Sequence, residues 1–214
     1  MCRKPGKRMR FPLLTMTVIL IGTIGLCCSC GARPHPRVTL SLQSGDKIVL
    51  ELYPEKAPDT VNLFLYLADS GYYNGKTFGR AVRGSLIACD GLNAGGGHEP
   101  AKHRVRGEFA AAGFAQNDLR HEAGVISMTR ENATHGRPPE ESYDTASGGF
   151  VILSGESPRM NGQYAAFGRV ISGMDAVDQI AAGPVRGEAL LQPVEIHGME
   201  VNYRGYKIAA PTPR

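Results

Sequence analysis

The chain has 214 residues, 42% of them aliphatic or aromatic and 21% charged, a globular composition that excludes disordered and collagen-like classes and is long enough to bury a core without disulfide staples. The formal charge of +4 belongs to one end: Arg3, Lys4, Lys7, Arg8 and Arg10 fall in the first ten positions, and no acid precedes Asp46. Beyond residue 29 the chain carries 19 basic against 20 acidic side chains, so the body lacks the electrostatic footprint of a nucleic-acid-binding protein.

Those five cations are followed by the apolar run Phe11 to Leu26, which is 16 residues long and contains Pro12. A bilayer span needs roughly 20 residues. A basic stretch, an apolar stretch and then small residues predict a secretory signal. The sequence continues Cys27-Cys28-Ser29-Cys30-Gly31-Ala32. A cysteine just past the apolar run, among small residues, resembles a bacterial lipoprotein signal. Neither cysteine has the leucine three positions upstream that such signals carry. The resemblance implies lipidation at Cys30, with Cys28 as the alternative, and a domain held at a membrane in the cell envelope, facing the periplasm or the exterior. An uncleaved helical anchor would hold it on the same side. Residues 1–30 are thus read as signal peptide, 31–36 as tether, 37–203 as one domain and 204–214 as a tail. Cys89 is the single cysteine of the body. It can form no internal disulfide, makes no metal site by itself, and reads as a small buried hydrophobe.

In the body, Val38, Leu40 and Leu42 alternate with polar residues, and so do Ile48, Leu50 and Leu52. With Ser44-Gly45-Asp46 between them they predict a hairpin. Ala57 to Ser70 predicts a helix: Pro58 fits its first turn, Val61, Phe64, Leu65 and Ala68 form one apolar stripe, and Gly71 ends it. Short apolar runs follow at Leu86 to Cys89, Gly124 to Met128, Phe150 to Leu153 and Ala165 to Ile171. A second helix is predicted from Met174 to Ala181, with Val177 and Ile180 on one face and Gly183-Pro184 as its stop. A last run covers Val194 to Val201. Many short strands and two helices predict a closed or nearly closed β-barrel. Two stretches carry no strand pattern, Gly91 to Glu122 with Gly95-Gly96-Gly97, and Arg130 to Gly149 with Pro138-Pro139-Glu140-Glu141. Loops of that length are functional or disordered. The triple glycine is not followed by the Gly-Lys-Ser/Thr of a phosphate loop. The six histidines have no metal-ligand spacing.

The order of motifs resembles the cyclophilin family of peptidyl-prolyl isomerases. The resemblance rests on Glu51-Leu52-Tyr53-Pro54-Glu55-Lys56-Ala57-Pro58, on Gly71-Tyr72-Tyr73-Asn74-Gly75 with Thr77-Phe78-Gly79-Arg80, and on Glu108-Phe109. It continues in Gly124-Val125-Ile126-Ser127-Met128, Phe150-Val151-Ile152 and Asn161-Gly162-Gln163-Tyr164-Ala165-Ala166-Phe167-Gly168. It implies a mainly β fold, a closed antiparallel eight-stranded barrel capped by two α-helices. It also implies an isomerase of proline-containing polypeptides that assists folding, acts as a monomer and uses no cofactor or metal. Arg80, in Phe78-Gly79-Arg80, takes the catalytic place. Phe78, Leu86, Met128, Thr129, Phe150, Met160 and Tyr164 take the substrate-binding places, with Phe150 as the floor of the proline pocket. The sequence departs from the family at Ser85, Ala88, Gly148 and Arg159, where pocket residues are replaced. The loop 130–149 is also several residues longer than usual.

The chemistry asks little. Rotating an amide costs about 18–20 kcal/mol because resonance is lost. No covalent bond changes, so neither nucleophile nor acid–base pair is needed. What helps is an apolar slot for the proline ring and a donor that bonds the proline nitrogen once its lone pair localises in the twisted state. That bond is stronger in the transition state than in the ground state, which is the condition for acceleration. Arg80, always charged and planar with five N–H groups, suits the role. The bland readings are an ion-paired surface arginine at Arg80 and simple core at Phe78 and Phe150. The replaced pocket positions keep a second function open, a catalytically weak or inactive peptide-binding or chaperone lipoprotein.

Overall fold

The structure is a computed structural model that describes Met1 and residues 35–91, 101–131 and 138–209. The signal segment with Cys28 and Cys30, the Gly95-Gly96-Gly97 run and residues 210–214 lie outside the described residues. The chain divides into two units, 1–32 and 33–214, and every strand and helix named below belongs to the second.

The predicted hairpin forms as β1 (Arg37–Leu42) and β2 (Lys47–Leu52), with Val38 opposite Leu50. Then come β3 (Thr77–Val82), β4 (Leu86–Cys89), β5 (Val125–Met128), β6 (Phe150–Leu153), β7 (Ala166–Ser172), β8 (Val185–Arg186) and β9 (Ala189–Asn202). The order around the ring is β1-β2-β7-β5-β6-β4-β3-β9, and β9 pairs back onto β1. The expected eight-stranded antiparallel barrel is therefore closed, which removes the exposed edges an open sheet would leave. A ninth strand, β8, is two residues long and lies beside β9 outside the ring. Besides β8, two strands of the ring differ from the sequence reading. β3 has no clean alternation, because a register shift between Phe78 and Arg80 breaks it. β9 starts five residues before the predicted Val194, where the exposed Ala189, Leu191 and Gln192 mask it.

The central strands β4, β5 and β6 are buried on both faces, and the faces alternate. Ile87, Cys89, Ile126, Met128, Phe150 and Ile152 point into the barrel and join one large core. Ala88, Val125, Val151 and Leu153 point outward and form a second, smaller apolar cluster with Leu86, Leu119 and Met160. Cys89 is fully buried, and burial pushes its thiol up to about 12.

Helix α1 (Pro58–Asp69) packs against β9 and sends Phe64 inward, its ring centre 5.1 Å from Phe167 and 5.5 Å from Phe150. Its first residues have no local side-chain cap. Glu108, remote in sequence, supplies one: its carboxylate accepts the N–H of Asp59 at 2.9 Å and of Thr60 at 2.8 Å. The C-terminal end closes as predicted by Gly71, which adopts φ +73°. The Tyr72 N–H then reaches the Leu67 carbonyl and the Gly71 N–H the Ala68 carbonyl, a Schellman closure. Helix α2 (Met174–Ala181) matches its predicted bounds and buries Val177 and Ile180.

Among the described residues the two long connections hold no strand, yet their described parts are tied down. Val105 bridges to Ala146, Gly107 N–H donates to Asp144 at 2.9 Å, and Asn117 donates to the carbonyls of Glu108 and Ala166. The chain past residue 203, read as a tail, still packs: Tyr206 and Ile208 lie on the core, and the Tyr206 hydroxyl donates to Asn62 at 2.9 Å.

Candidate active site

Pairing register builds the site. Arg80 on β3 lies opposite Ala88 on β4, Ala88 opposite Val151 on β6, and Val151 opposite Ser127 on β5. Directly paired residues share a face, so one row crosses the outer face of the barrel from Arg80 to Ser127. The next row holds Cys89, Phe150 and Met128, and by alternation it faces inward.

Over the outer row lies a cleft of about 790 Å³. Leu86, Val151 and Met160 give it an apolar floor, Thr129 and Tyr164 one side, and Arg80 with Asp90 and Glu188 the other. Of the expected residues, Arg80, Leu86, Thr129, Met160 and Tyr164 therefore meet in one cleft. Phe78, Met128 and Phe150 do not line it. Phe150 is fully buried inside the barrel, edge-on to Phe64, Tyr73 and Phe78, and Met128 and Phe78 are buried with it. The floor assigned to Phe150 belongs to its neighbour Val151. A slip of one residue along a strand moves a side chain to the opposite face. The signal was present: with Arg80 facing out, period-two alternation puts Leu86, Ala88, Val151 and Leu153 on the same side.

Arg80 is held from two directions. Its Nε donates to Asp90 Oδ2 and its Nη1 to Glu188 Oε2, each at 3.0 Å. Partial burial alone would lower its pKa, but the bonds and charges of Asp90 and then Glu188 outweigh burial and raise it, so the charge is permanent. Nη2 makes no hydrogen bond among the described residues. Glu188 comes from the β8–β9 turn, which is fastened to β3 by the Ala81 N–H on the Glu188 carbonyl at 2.8 Å. Sequence reasoning missed both acids. Asp90 was readable as the residue two past Ala88, whereas Glu188 is 108 positions from Arg80 and had no sequence signal.

The backbone beside the slot is tightly packed. Thr129 N–H donates to the Gly149 carbonyl at 2.8 Å, and a Cβ on Gly149 would stand 2.4 Å from Thr129 Oγ1. Behind the slot, buried His121 ties the turn carrying Met160 to β5. Asn161 Oδ1 accepts from the His121 backbone N–H at 2.7 Å and from Nδ1 at 3.2 Å, and Nε2 then accepts the Ser127 hydroxyl at 3.0 Å. Burial lowers the His121 pKa, and the Asn161 bond opposes it only in part. Among the described residues no three His, Cys, Asp or Glu side chains gather as a metal-binding group.

The family model for cyclophilin type peptidyl-prolyl cis-trans isomerases matches residues 37–201. The chain belongs to the cyclophilin family. This cyclophilin is 33% identical over 143 residues to peptidyl-prolyl cis-trans isomerase B of Escherichia coli, covering 67% of this chain and 82% of that one. It is 32% identical over 151 residues to peptidyl-prolyl cis-trans isomerase B of Bacillus subtilis, covering 71% and 94%. In fold it is similar to a cyclophilin of Cryptosporidium parvum, with a TM-score of 0.62 at 20% identity over 78% of this chain and 98% of that one. Ala88, one of the replaced pocket positions, offers Arg80 no side-chain acceptor, and Asp90 and Glu188 hold it.

Proposed function

We propose that this cyclophilin catalyses cis–trans isomerisation of X–Pro bonds in exported polypeptides and assists their folding while tethered in the cell envelope. The observation that carries the catalytic part is Arg80, fixed by two carboxylates with Nη2 spare, beside the apolar floor of Leu86, Val151 and Met160. A proline ring seated on that floor keeps its nitrogen within reach of the guanidinium while the preceding carbonyl turns. The donor meets a lone pair only in the twisted state, so the bond favours the transition state over either planar isomer. A crystal structure of the Cryptosporidium parvum cyclophilin was obtained in the presence of the dipeptide Ala-Pro, a ligand of the class this cleft would take.

The purified domain should speed the exchange of cis and trans signals of a proline peptide in NMR, and Arg80→Ala should remove most of the gain. Equal exchange with and without protein would overturn the reading. It would leave the second one, a peptide-binding module without isomerase activity. The replaced pocket positions Ser85, Ala88, Gly148 and Arg159 favour that second reading. The envelope part rests on the basic and apolar N-terminus with Cys28 and Cys30. It is tested by incorporation of labelled palmitate, expected in the full chain and lost on Cys30→Ala. Retention of label in that variant and loss on Cys28→Ala would move the site, and no label in either would remove the anchor.

A further inference from the structure

The cleft is lined by three arginines, Arg80, Arg104 and Arg130, and three carboxylates, Asp90, Glu131 and Glu188. The carboxylates are taken by two of the arginines. Asp90 and Glu188 both sit on Arg80, and Glu131 sits on Arg104 at 2.7 Å. Arg130 has no carboxylate partner among the described residues. Its guanidinium carbon lies 4.7 Å from the ring centre of Tyr164, 5.4 Å from Tyr143 and 5.8 Å from Phe109. Nη1 donates to the Ser142 hydroxyl and Nε to the Gln163 carbonyl. Neutral partners thus fix the cation in place without cancelling its charge, and Nη2 makes no bond among the described residues.

Strand order locates that charge. Arg130 follows β5, Val151 lies on β6, Leu86 on β4 and Arg80 on β3, and Glu188 lies in the turn just before β9. The cleft therefore runs from a cation with no carboxylate partner among the described residues, over an apolar floor, to a guanidinium bonded by two carboxylates. Neighbouring strands stand about 4.8 Å apart, so β5 and β3 are separated by roughly 14 Å, the reach of about four extended residues. A peptide with its proline nitrogen at Arg80 can therefore bring a side chain two or three positions away to Arg130.

We propose that this cyclophilin selects prolines flanked within about three residues by an acidic side chain, which Arg130 engages. The inference rests on the isomerase reading and names its substrate class. A merely structural Arg130, stapling the 138–145 connection to Tyr164, predicts no charge preference.

The test uses proline peptides that differ only in carrying Glu, Gln or Lys at one of the three positions on either side of proline. For the wild type at low salt, kcat/KM for the best-placed Glu peptide should exceed that for its Gln counterpart by about two- to fivefold, as for a partly exposed ion pair. The Lys peptide should fall below both. The preference should fade toward unity near 1 M salt, survive in Arg130→Lys and vanish in Arg130→Gln. Normal exchange of the Gln peptides with equal rates for Glu and Lys at every position overturns the inference and leaves the isomerase intact. A preference that persists in Arg130→Gln also overturns it. Should no peptide exchange at all, the isomerase reading fails separately, and the same peptides are titrated against labelled protein by chemical shift. Equal Kd values there overturn the inference, and a Glu preference lost at high salt supports it. The salt series in the wild type decides the matter if Arg130→Gln does not fold.

Discussion

A guanidinium catalyses only from the right place, and in the proposed mechanism Asp90 and Glu188 set that place for Arg80. In that mechanism Arg80→Ala deletes a charge-assisted hydrogen bond worth roughly 1.5–3 kcal/mol in the transition state, so it should lower kcat/KM by about ten- to a hundredfold. Removing Glu188 leaves the guanidinium on Asp90 alone. Glu188→Ala should lower kcat several-fold with KM little changed and with unaltered melting temperature, because the Glu188 side chain is exposed and the turn is held by backbone bonds, among them its own carbonyl and the β8–β9 pairing. An unchanged kcat would show that Asp90 suffices. Adjacent residues on β6 separate fold from function in the same way. Phe150→Ala empties a site filled by three aromatic neighbours and should cost about 3–5 kcal/mol. Val151→Ala removes two methyl-sized groups from the cleft floor, costs about 1–2 kcal/mol, and should depress kcat/KM out of proportion to its stability effect. The chain has no tryptophan, so urea unfolding is followed by circular dichroism.

At the scale of the element, α1 depends on a residue it does not contain. Glu108→Ala leaves the N–H groups of Asp59 and Thr60 without an acceptor next to the core. It should destabilise the protein by about 2–6 kcal/mol in urea unfolding, at 1–3 kcal/mol per unpaired buried group. Glu108→Gln, which keeps one acceptor oxygen, should cost less. A loss below 1 kcal/mol in the alanine variant would show that water replaces the cap. This contact marks what could be read from the sequence. The α1 stripe, the Gly71 stop and the β1–β2 hairpin are local signals of period and turn, and they fold where the sequence puts them. Glu108 was legible as part of a family motif, but its partner was not, since a cap across 48 positions leaves no local pattern. The same holds in the cleft. Arg80, Leu86, Met160 and Tyr164 came from motifs, whereas Glu188 and Arg130 came into view only once the barrel closed and brought distant turns together. Phe150 and Val151 were separable by alternation, but β6 is covered on both faces and reads as one unbroken apolar run.

Across the whole molecule, two buried titratable groups oppose each other as pH changes. His121 is held neutral: burial lowers its pKa below 6.5 in the folded state, so the unfolded chain binds the proton more tightly. Stability contributed by neutral His121 is complete above about 6.5 and is lost as pH falls through the folded value. Glu108 runs the other way. Burial raises its pKa above 4.5 despite the bonds from Thr60 and Asp59, so the folded chain binds that proton more tightly. Its contribution is complete below the unfolded value and is lost as pH rises through the raised folded one. The two contributions therefore change in opposite directions as pH rises through the mildly acidic range, that of Glu108 falling and that of His121 growing. Urea unfolding from pH 4 to pH 8 of the wild type, His121→Gln and Glu108→Gln reads each slope as a difference. The gap between wild type and His121→Gln should be constant above about pH 7 and shift in favour of the variant as pH falls. The gap to Glu108→Gln should shift in favour of the variant as pH rises from about 4.5, then level off. Parallel curves for either variant would mean that its group carries no burial cost, and that the bonds of Asn161 and Ser127 to His121, or of Asp59 and Thr60 to Glu108, fully compensate it.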